Sequence, residues 1–197
     1  MLERSRALGL LGPGPVEDHC AHAEGLVAVA EGADIDLADV TAADLGSGGG
    51  VPALVLAVAL PSTRWTLVES GERRASFLSW ATAELGLADR ISVVCERAEV
   101  IGRAPEHRGR YELVTARSFG PPAVTAECGA PLLRVGGHLA VSEPPRTDRD
   151  RWPADALAEL GLEVVVGGGR WMVARQAAGA PEWAPRRVGL PAKRPGW

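Results

Sequence analysis

Short apolar runs alternate with longer amphipathic segments along most of this chain. Five apolar runs, each bounded by glycine, proline or polar residues, predict β-strands. These strands are predicted at residues 41–45, 64–68, 91–95, 111–116 and 138–142. Two further apolar runs, at 163–166 and 171–175, are separated by glycines and predict a closing antiparallel pair.

Helical patterns fill the intervals between the predicted strands. The segment 51–60 is too apolar for a surface helix, so we expect it to be buried against a sheet. The segment 72–85 is amphipathic and stops at Gly86. With these two, the spacing predicts helices over residues 16–31, 51–60, 72–85, 122–133 and 154–160.

This alternation predicts an α/β fold, a doubly wound and mostly parallel sheet with an antiparallel C-terminal strand pair. A ligand then belongs at the carboxyl ends of the strands, where the strand order reverses. We expect a short helical N-terminal segment over residues 1–35, of which 1–15 are loose, and a main domain over 36–180. Residues 181–197 form a basic, proline-rich tail that either lies over the domain or reaches outward.

The composition excludes several classes of function but does not identify the function. The formal net charge of −4 means that any contact with RNA must be local, because a protein that binds nucleic acid over its whole surface is usually basic. Cys20, Cys95 and Cys128 are far apart and odd in number, which favours free thiols in a reducing cytoplasm. We find neither a signal peptide nor a membrane-length apolar run, so we expect a cytoplasmic protein without a membrane partner.

A glycine cluster follows the first predicted strand, in 43-ADLGSGGGVPALVLAVAL-60. A phosphate-binding P-loop requires Gly-Lys-Ser/Thr, but here Gly50 is followed by Val51 and proline. A dinucleotide turn requires G-x-G-x-x-G, but Val51 stands where the third glycine is needed. These two standard anion-binding motifs therefore fail.

The pattern that is present is a carboxylate at Asp44 followed by Gly46, Gly48 and Gly50. A carboxylate beside the loop disfavours an anion and favours a cation. S-adenosylmethionine carries a sulfonium and an ammonium group, so it fits this loop better than a pyrophosphate does. The alternative is a tight turn between strand and helix that binds nothing.

Two charged residues follow other predicted strands. Glu69 ends the second strand, at a spacing suited to accepting both hydroxyls of a ribose, unless it is an unliganded surface carboxylate. Arg117 follows the fourth strand and belongs at the same edge. Arginine commonly binds guanine through O6 and N7 together. If N7 is the methylated atom, it must stay free, so Arg117 could then bind only O6, a phosphate or the cofactor. A salt bridge from Arg117 to Glu69, Glu99 or Glu143 is the alternative.

The chain resembles the bacterial 16S rRNA (guanine, nitrogen 7) methyltransferases, also called glucose-inhibited division protein B. The matching runs are 44-DLGSGGGVP-52, 67-LVESGERRASFL-78, 97-RAE-99, 114-VTARSF-119, 131-PLLRVGGHLAV-141 and 185-PRRVGLPAKRP-195. The resemblance implies a Rossmann-like class I methyltransferase fold, S-adenosyl-L-methionine as donor, and a guanine in a single-stranded 16S rRNA loop of the small ribosomal subunit as acceptor. It also implies cofactor contacts at Gly46, Val51, Ala98, Glu99 and Arg117.

Together, the residues and the resemblance predict one site. We expect Arg117 to be the catalytic residue. For Glu99, recognition of the adenine beside Ala98 competes with a solvated helix start. The expected cofactor contacts are Asp44, Gly46, Gly48, Val51, Glu69, Ala98, Glu99 and Arg117.

The chain departs from the family pattern on its substrate side. Asp18 precedes His19 where the family usually has arginine, and Glu143 follows the fifth strand where it typically has lysine. We expect Glu143 to make the cleft edge acidic and to repel a phosphate. His19 and His22 lack further nearby ligands, so we predict no metal site and expect a solvated or helix-packing role for both.

The tail carries four cations, interleaved with Trp183 and Trp197. Stiff, basic and aromatic chain suits phosphate contact with base stacking, and the alternative is an ordered basic strap over the domain. The predicted RNA-binding residues are Arg186, Arg187, Lys193 and Arg194.

These observations favour transfer of a methyl group from S-adenosylmethionine to N7 of a guanine in 16S rRNA. N7 already has a free lone pair, so the reaction requires alignment and exclusion of water rather than prior deprotonation. Two alternatives remain, a methyltransferase that acts on a small molecule or another RNA, and a non-catalytic binding module with the same fold.

Overall fold

The fold is a seven-stranded sheet with helices on both faces. The computed structural model describes residues 1–144 and 151–197. The strand order is β3-β2-β1-β4-β5-β7-β6, with β1 to β5 parallel and β7 antiparallel to both of its neighbours. The strands are β1 Thr41–Leu45, β2 Arg64–Val68, β3 Ile91–Val94, β4 Tyr111–Ala116, β5 Leu133–Ser142, β6 Leu162–Val166 and β7 Trp171–Gln176. The predicted doubly wound sheet and its antiparallel C-terminal pair are confirmed.

The helices lie close to their predicted positions. The predicted helix over 122–133 ends early, at Gly129, and continues as one 3₁₀ turn over Ala130–Leu132, because Pro131 lacks the N–H that an α-helix requires. The helices are α1 Leu2–Ala7, α2 Val16–Gly32, α3 Ala53–Ala59, α4 Glu72–Glu84, α5 Ala98–Ile101, α6 Pro122–Gly129, α7 Ala154–Glu159 and α8 Leu190–Lys193.

Alternate side chains of the central strands enter two different cores. In β1, Ala42 packs with the helices α2, α3 and α4, whereas Ala43 and Leu45 pack on the opposite face with α5 and α6. Both neighbours of β1 are buried on both faces as well, which is why these strands read as continuous apolar runs. As expected, the apolar helix α3 is buried against the sheet.

Strand β5 begins five residues earlier than predicted. Gly136 and Gly137 were expected to form the turn before it, but the strand runs through them with an irregular register against β4. Gly136 has a φ of +88°, and a Cβ on Gly137 would lie 2.8 Å from the carbonyl oxygen of Tyr111. The two glycines therefore mark a bulge inside a strand rather than a turn.

The N-terminal residues are more ordered than predicted. Residues 1–15 were expected to be loose, but they contain α1, and Ser5 Oγ donates a hydrogen bond of 3.0 Å to the carbonyl oxygen of Gly49. A Cβ on Gly49 would collide with that hydroxyl and would lie 2.5 Å from the carbonyl oxygen of Leu10. Only glycine at position 49 permits this approach.

The C-terminal tail lies over the domain, which is one of the two arrangements expected for it. Arg108 fastens it by donating to the carbonyl oxygens of Ala184 at 2.6 Å and Pro181 at 2.7 Å. The same guanidinium donates to the carbonyl oxygens of Gly102 and Ala180 in the domain. The tail also contains the short helix α8, which the sequence did not predict.

Candidate functional site

The loops after β1, β2, β3 and β4 surround a cavity of about 550 Å³ at the carboxyl ends of the strands. The strand order reverses between β1 and β4, so the cavity lies where a doubly wound sheet binds its ligands. Its wall includes seven of the eight predicted cofactor residues, namely Gly46, Gly48, Val51, Glu69, Ala98, Glu99 and Arg117.

The glycine loop turns through backbone conformations that other residues rarely adopt. Gly46, Gly48 and Gly50 have φ values of +65°, +51° and +92°. A Cβ on Gly46 would lie 2.9 Å from the ring of Phe119, which also lines the cavity. The Phe119 ring therefore occupies the space that a side chain at position 46 would need.

Asp44 is the one predicted cofactor residue that does not line this cavity. It lies beneath the glycine loop with 1% of its surface exposed, and Thr115 Oγ1 donates to its Oδ1 at 2.6 Å. Its other oxygen, Oδ2, is buried and has no hydrogen-bond partner within residues 1–144 and 151–197. Burial raises the pKa of Asp44 to about 7, against the lowering effect of its hydrogen bonds.

Glu69 is a fixed and ionised carboxylate at the end of β2. Its Oε1 accepts from the backbone N–H of Gly71 and from Arg74, both at 2.7 Å, and its Oε2 accepts from the N–H of Gly48 at 3.1 Å. Burial alone would raise the pKa of Glu69, but these hydrogen bonds outweigh it and lower the pKa. Since an oxygen accepts about two such bonds, only Oε2 keeps an open position, enough for one ribose hydroxyl rather than two.

Glu99 is buried at the start of α5, so the alternative of a solvated helix start is wrong. Arg97 donates to both of its oxygens, at 2.9 and 3.3 Å, and the backbone N–H of Gly189 in the tail donates to Oε1 at 2.9 Å. Burial would raise the pKa of Glu99, and these donors together lower it. Ala192 of the tail also lines the cavity, so the tail forms part of its wall.

Arg117 is held by a histidine rather than by a carboxylate. Its Nη2 donates to His19 Nδ1 at 2.6 Å, and His19 Nε2 donates in turn to the carbonyl oxygen of Gly12 at 3.1 Å. The expected alternatives, salt bridges to Glu69, Glu99 or Glu143, do not form among the described residues. Arg117 Nη1 is buried and has no hydrogen-bond partner among the described residues, so one donor of the guanidinium is unsatisfied.

A second cavity of about 460 Å³ adjoins the first. Arg117, Ser118 and Phe119 line both cavities. Other parts of the second wall come from α2, α6, the end of β5 and the segments beside α7 and β7. They include His19, His22, Glu143, Trp152 and Arg170.

His22 is a neutral side chain in this second wall. Its ring stacks on Trp171 with centroids 4.9 Å apart, Arg170 donates to Nδ1 at 3.3 Å, and Nε2 lies 2.6 Å from Ser142 Oγ. Burial, followed by the nearby Arg170 and Arg117, lowers the pKa of His22 to about 4. Within the described residues, no group of three or more His, Cys, Asp or Glu side chains could hold a metal ion.

Glu143 does not form the open acidic edge that the sequence predicted. Its side chain is 3% exposed, and it accepts hydrogen bonds from Arg151 at 3.0 Å and from Trp152 Nε1 at 3.1 Å. The ion pair with Arg151 offsets the charge of Glu143, so the prediction that Glu143 repels a phosphate is contradicted. The carboxylate instead forms part of the inner wall of the second cavity.

Within the part of the chain that the structure describes, one of the four cations in the tail forms an ion pair. Arg186 donates from Nε and Nη2 to both oxygens of Glu127, which is itself buried. This bidentate ion pair anchors the tail and occupies the guanidinium of Arg186, which argues against the predicted RNA contact at this residue. Arg187, Lys193 and Arg194 are exposed.

Sequence reasoning missed three parts of the two walls. Leu10, Leu11 and Gly12 were assigned to a loose segment, and Ala192 to an outlying tail, yet all four line the first cavity. His19 was not connected with Arg117, from which it is 98 positions away. The apolar pair Leu10-Leu11 is the one signal in the sequence that the N-terminal segment is covered.

Comparisons with known proteins agree on one family. The family model described as rRNA small subunit methyltransferase G, GidB, matches residues 24–143. Proteins named ribosomal RNA small subunit methyltransferase G from Roseiflexus castenholzii and Rubrobacter xylanophilus are 40% and 38% identical over 77% and 78% of this chain. The matches span 69% and 64% of those relatives, about two thirds of their length.

A solved structure supports the fold. The SAM-dependent O-methyltransferase of Thermotoga maritima superimposes with a TM-score of 0.62 and 16% identity, covering 92% of this chain and 72% of that one. Among the described residues, no helix is both long and apolar enough to cross a membrane.

Proposed function

This chain belongs to the rRNA small subunit methyltransferase G (GidB) family, and from that premise we propose that it transfers a methyl group from S-adenosylmethionine to N7 of a guanine in 16S rRNA. The observation that carries the proposal is the pair of adjoining cavities that share Arg117, Ser118 and Phe119. In this reading the first cavity takes the cofactor and the second takes the acceptor base.

The residues of the first cavity suit a cationic nucleoside. Gly46 and Gly48 line this cavity without side chains, and Glu69 Oε2 offers an acceptor for a ribose hydroxyl. The buried, unpartnered Asp44 Oδ2 lies beneath the loop and supplies negative potential once ionised. Ala98 and Glu99 then contact the adenine, with Ala192 of the tail beside them. When bound, S-adenosylmethionine supplies an electrophilic methyl group on a positively charged sulfur.

Arg117 is the residue we assign to catalysis. Its free Nη1 can donate to O6 of the acceptor guanine while N7 stays unobstructed. His19 holds the other end of the guanidinium, so the donor is fixed before the base arrives. N7 needs no base to remove a proton, and the protein contributes alignment and exclusion of water, worth on the order of 7–11 kcal/mol at best.

Methylation of small ribosomal subunits tests the proposal. Subunits from a strain that lacks its own guanine-N7 methyltransferase are incubated with the protein and labelled S-adenosylmethionine, and 7-methylguanine is located by borohydride and aniline cleavage. We expect one modified guanine in 16S rRNA. A protein that binds the cofactor calorimetrically but leaves the subunits unmodified would instead be a methyltransferase for another acceptor, and one that binds no cofactor would be a binding module.

Replacement of Arg117 tests its role within that assay. We expect Arg117→Gln to lower the rate of methyl transfer about 10- to 100-fold, the usual effect of losing a charged hydrogen-bond donor, with a smaller change in cofactor affinity. Arg117→Lys keeps the charge but not the two-ended geometry, so its rate should also fall. An unchanged rate in both variants would contradict the assignment.

A further inference from the structure

The second cavity contains a buried carboxylate to which the proposed function assigns no role. Among the described residues of its wall, Asp18 and Glu143 carry the carboxylates. Asp18 is exposed at the rim, whereas the side chain of Glu143 is 3% exposed. A buried charge is costly unless it is well paired, so its position in a ligand cavity requires a reason.

The geometry of Glu143 keeps both of its oxygens available. Arg151 donates to Oε2 at 3.0 Å, Trp152 Nε1 donates to Oε1 at 3.1 Å, and the Glu143 backbone N–H donates to the carbonyl oxygen of Arg170 at 2.9 Å. Among the described residues these two side-chain donors leave one acceptor position on each oxygen, since a carboxylate oxygen accepts about two hydrogen bonds. The carboxylate is therefore fixed in place and able to accept two further donors side by side.

Guanine is the nucleobase that presents such a pair of donors. Its Watson–Crick edge offers N1–H and one N2–H side by side, which match the two oxygens of a carboxylate. Adenine presents a bare acceptor at N1 to the same carboxylate, which is repulsive. Enzymes that act on an extruded base commonly bind its Watson–Crick edge in this way, between aromatic side chains. Phe119 and Trp152 supply such rings in the same wall.

The order of groups along the two cavities matches the order of atoms along the guanine ring. Around the purine, O6 lies between N7 and the N1–H and N2–H pair. In the protein, Arg117 lines both cavities, the cofactor cavity lies on one side of it, and Glu143 lines only the second cavity. A base with N7 toward the cofactor and O6 on Arg117 therefore turns its donor pair toward the side of Glu143.

We propose that Glu143 is the specificity-determining residue of this site and accepts hydrogen bonds from N1–H and N2–H of the acceptor guanine. The inference rests on the proposed function and adds to it the residue that distinguishes guanine from other purines. Arg151 and Trp152 act as positioning residues, because they hold the carboxylate at both oxygens.

Nucleotide binding by the protein saturated with S-adenosylhomocysteine tests this inference. Guanosine, inosine and adenosine 5′-monophosphates are titrated and followed by saturation-transfer NMR. Inosine differs from guanosine only in lacking the N2 amino group. The difference in affinity between the two nucleotides therefore measures the hydrogen bond from N2–H to the carboxylate. We expect the guanosine nucleotide to bind about tenfold more tightly than the inosine nucleotide and the adenosine nucleotide to bind more weakly still.

Glu143→Gln should reduce the preference for guanosine over inosine to less than about twofold. The matched control is Glu127→Gln, because Glu127 is equally buried, is paired with Arg186, and lies outside both cavities. The control should lose stability but keep the preference. Trp152→Phe keeps the carboxylate and an aromatic ring but removes the donor that holds Oε1, so its preference should fall between that of the unmodified protein and that of Glu143→Gln.

Several results would overturn the inference. The inference fails if the unmodified protein binds the guanosine and inosine nucleotides equally, or binds neither detectably. This outcome does not depend on whether any variant folds. Loss of the preference in Glu127→Gln would show that it reflects general stability. If ribosomal subunits are methylated but these nucleotides are not distinguished, only the inference about Glu143 fails. If subunits are not methylated at all, the proposed function fails first.

Discussion

At the scale of single residues, Asp44 links the cofactor site to pH. Burial raises its pKa to about 7, so at pH 6 about nine-tenths of the free protein carries a neutral carboxyl there. A cationic ligand favours the ionised form, and binding at pH 6 should therefore release a proton. We predict that affinity for S-adenosylmethionine rises up to about tenfold from pH 6 to pH 8, measured by calorimetry in buffers of different ionisation enthalpy.

The variant Asp44→Asn separates this effect from titration of the ligand itself. It keeps the shape of the side chain and an acceptor for Thr115, but it cannot ionise. Any pH dependence that remains in the variant belongs to the ligand, and the difference between the two curves belongs to Asp44. Identical curves for the two proteins would show that the carboxyl does not sense the bound charge.

His22 makes a separate prediction about stability. Its pKa is lowered to about 4 in the folded protein, against about 6.5 in the unfolded chain. Between these values the unfolded chain binds the additional proton, so stability is complete above pH 6.5 and is lost as pH falls toward 4. We expect His22→Gln to show a shallower decline of melting temperature over that window. Parallel melting curves for the two proteins would contradict this account.

At the scale of elements, the periodicity of apolar residues predicts the strands and helices, but not the contacts between distant segments. Apolar runs bounded by turn residues were sufficient to find β1 to β4, and the glycine loop with Glu69 pointed to the correct edge of the sheet. Contacts between distant segments leave no periodic signal. The sequence therefore did not predict the approach of Ser5 to Gly49, the hydrogen bond from Arg117 to His19, or the contact by which Arg108 holds the tail.

The contribution of the tail to the first cavity can be tested by truncation. Its Gly189 N–H donates to Glu99, and its Ala192 lines the cavity. Truncation after Val188 removes the donor from Gly189 to Glu99 and the contact from Ala192, but keeps the Arg186–Glu127 ion pair. We expect the shortened protein to fold and to bind S-adenosylmethionine about three- to tenfold more weakly by calorimetry.

The control for this truncation stops the chain after Arg194. It removes three residues and leaves both contacts with the cofactor wall in place. Cofactor affinity should match that of the full chain. If the two truncations weaken binding equally, the effect comes from loss of the terminal residues in general and not from an opened cavity.

At the scale of the whole molecule, charge must be local for RNA to bind. The net charge is −4, so the molecule as a whole repels a polyphosphate, and attraction depends on where cations remain free. Arg186 is committed to Glu127, whereas Arg187, Lys193 and Arg194 are exposed on a tail that borders the cofactor cavity. We infer that these three cations carry the phosphate contacts nearest the site.

Salt dependence measures the number of those contacts. Each phosphate contact on single-stranded nucleic acid contributes about 0.7 to the slope of log affinity against log salt concentration. Replacing Arg187, Lys193 and Arg194 by glutamine should therefore make the slope shallower by up to about 2, measured by fluorescence anisotropy with a guanine-containing RNA loop. The matched control replaces Arg64, Arg110 and Arg175, which are exposed at the opposite edge of the sheet, where β2 and β4 begin and the antiparallel β7 ends. It removes the same charge, so it should weaken binding slightly and leave the slope unchanged. Equal changes of slope in both variants would mean that the tail is not a specific contact and that the molecule senses only its total charge.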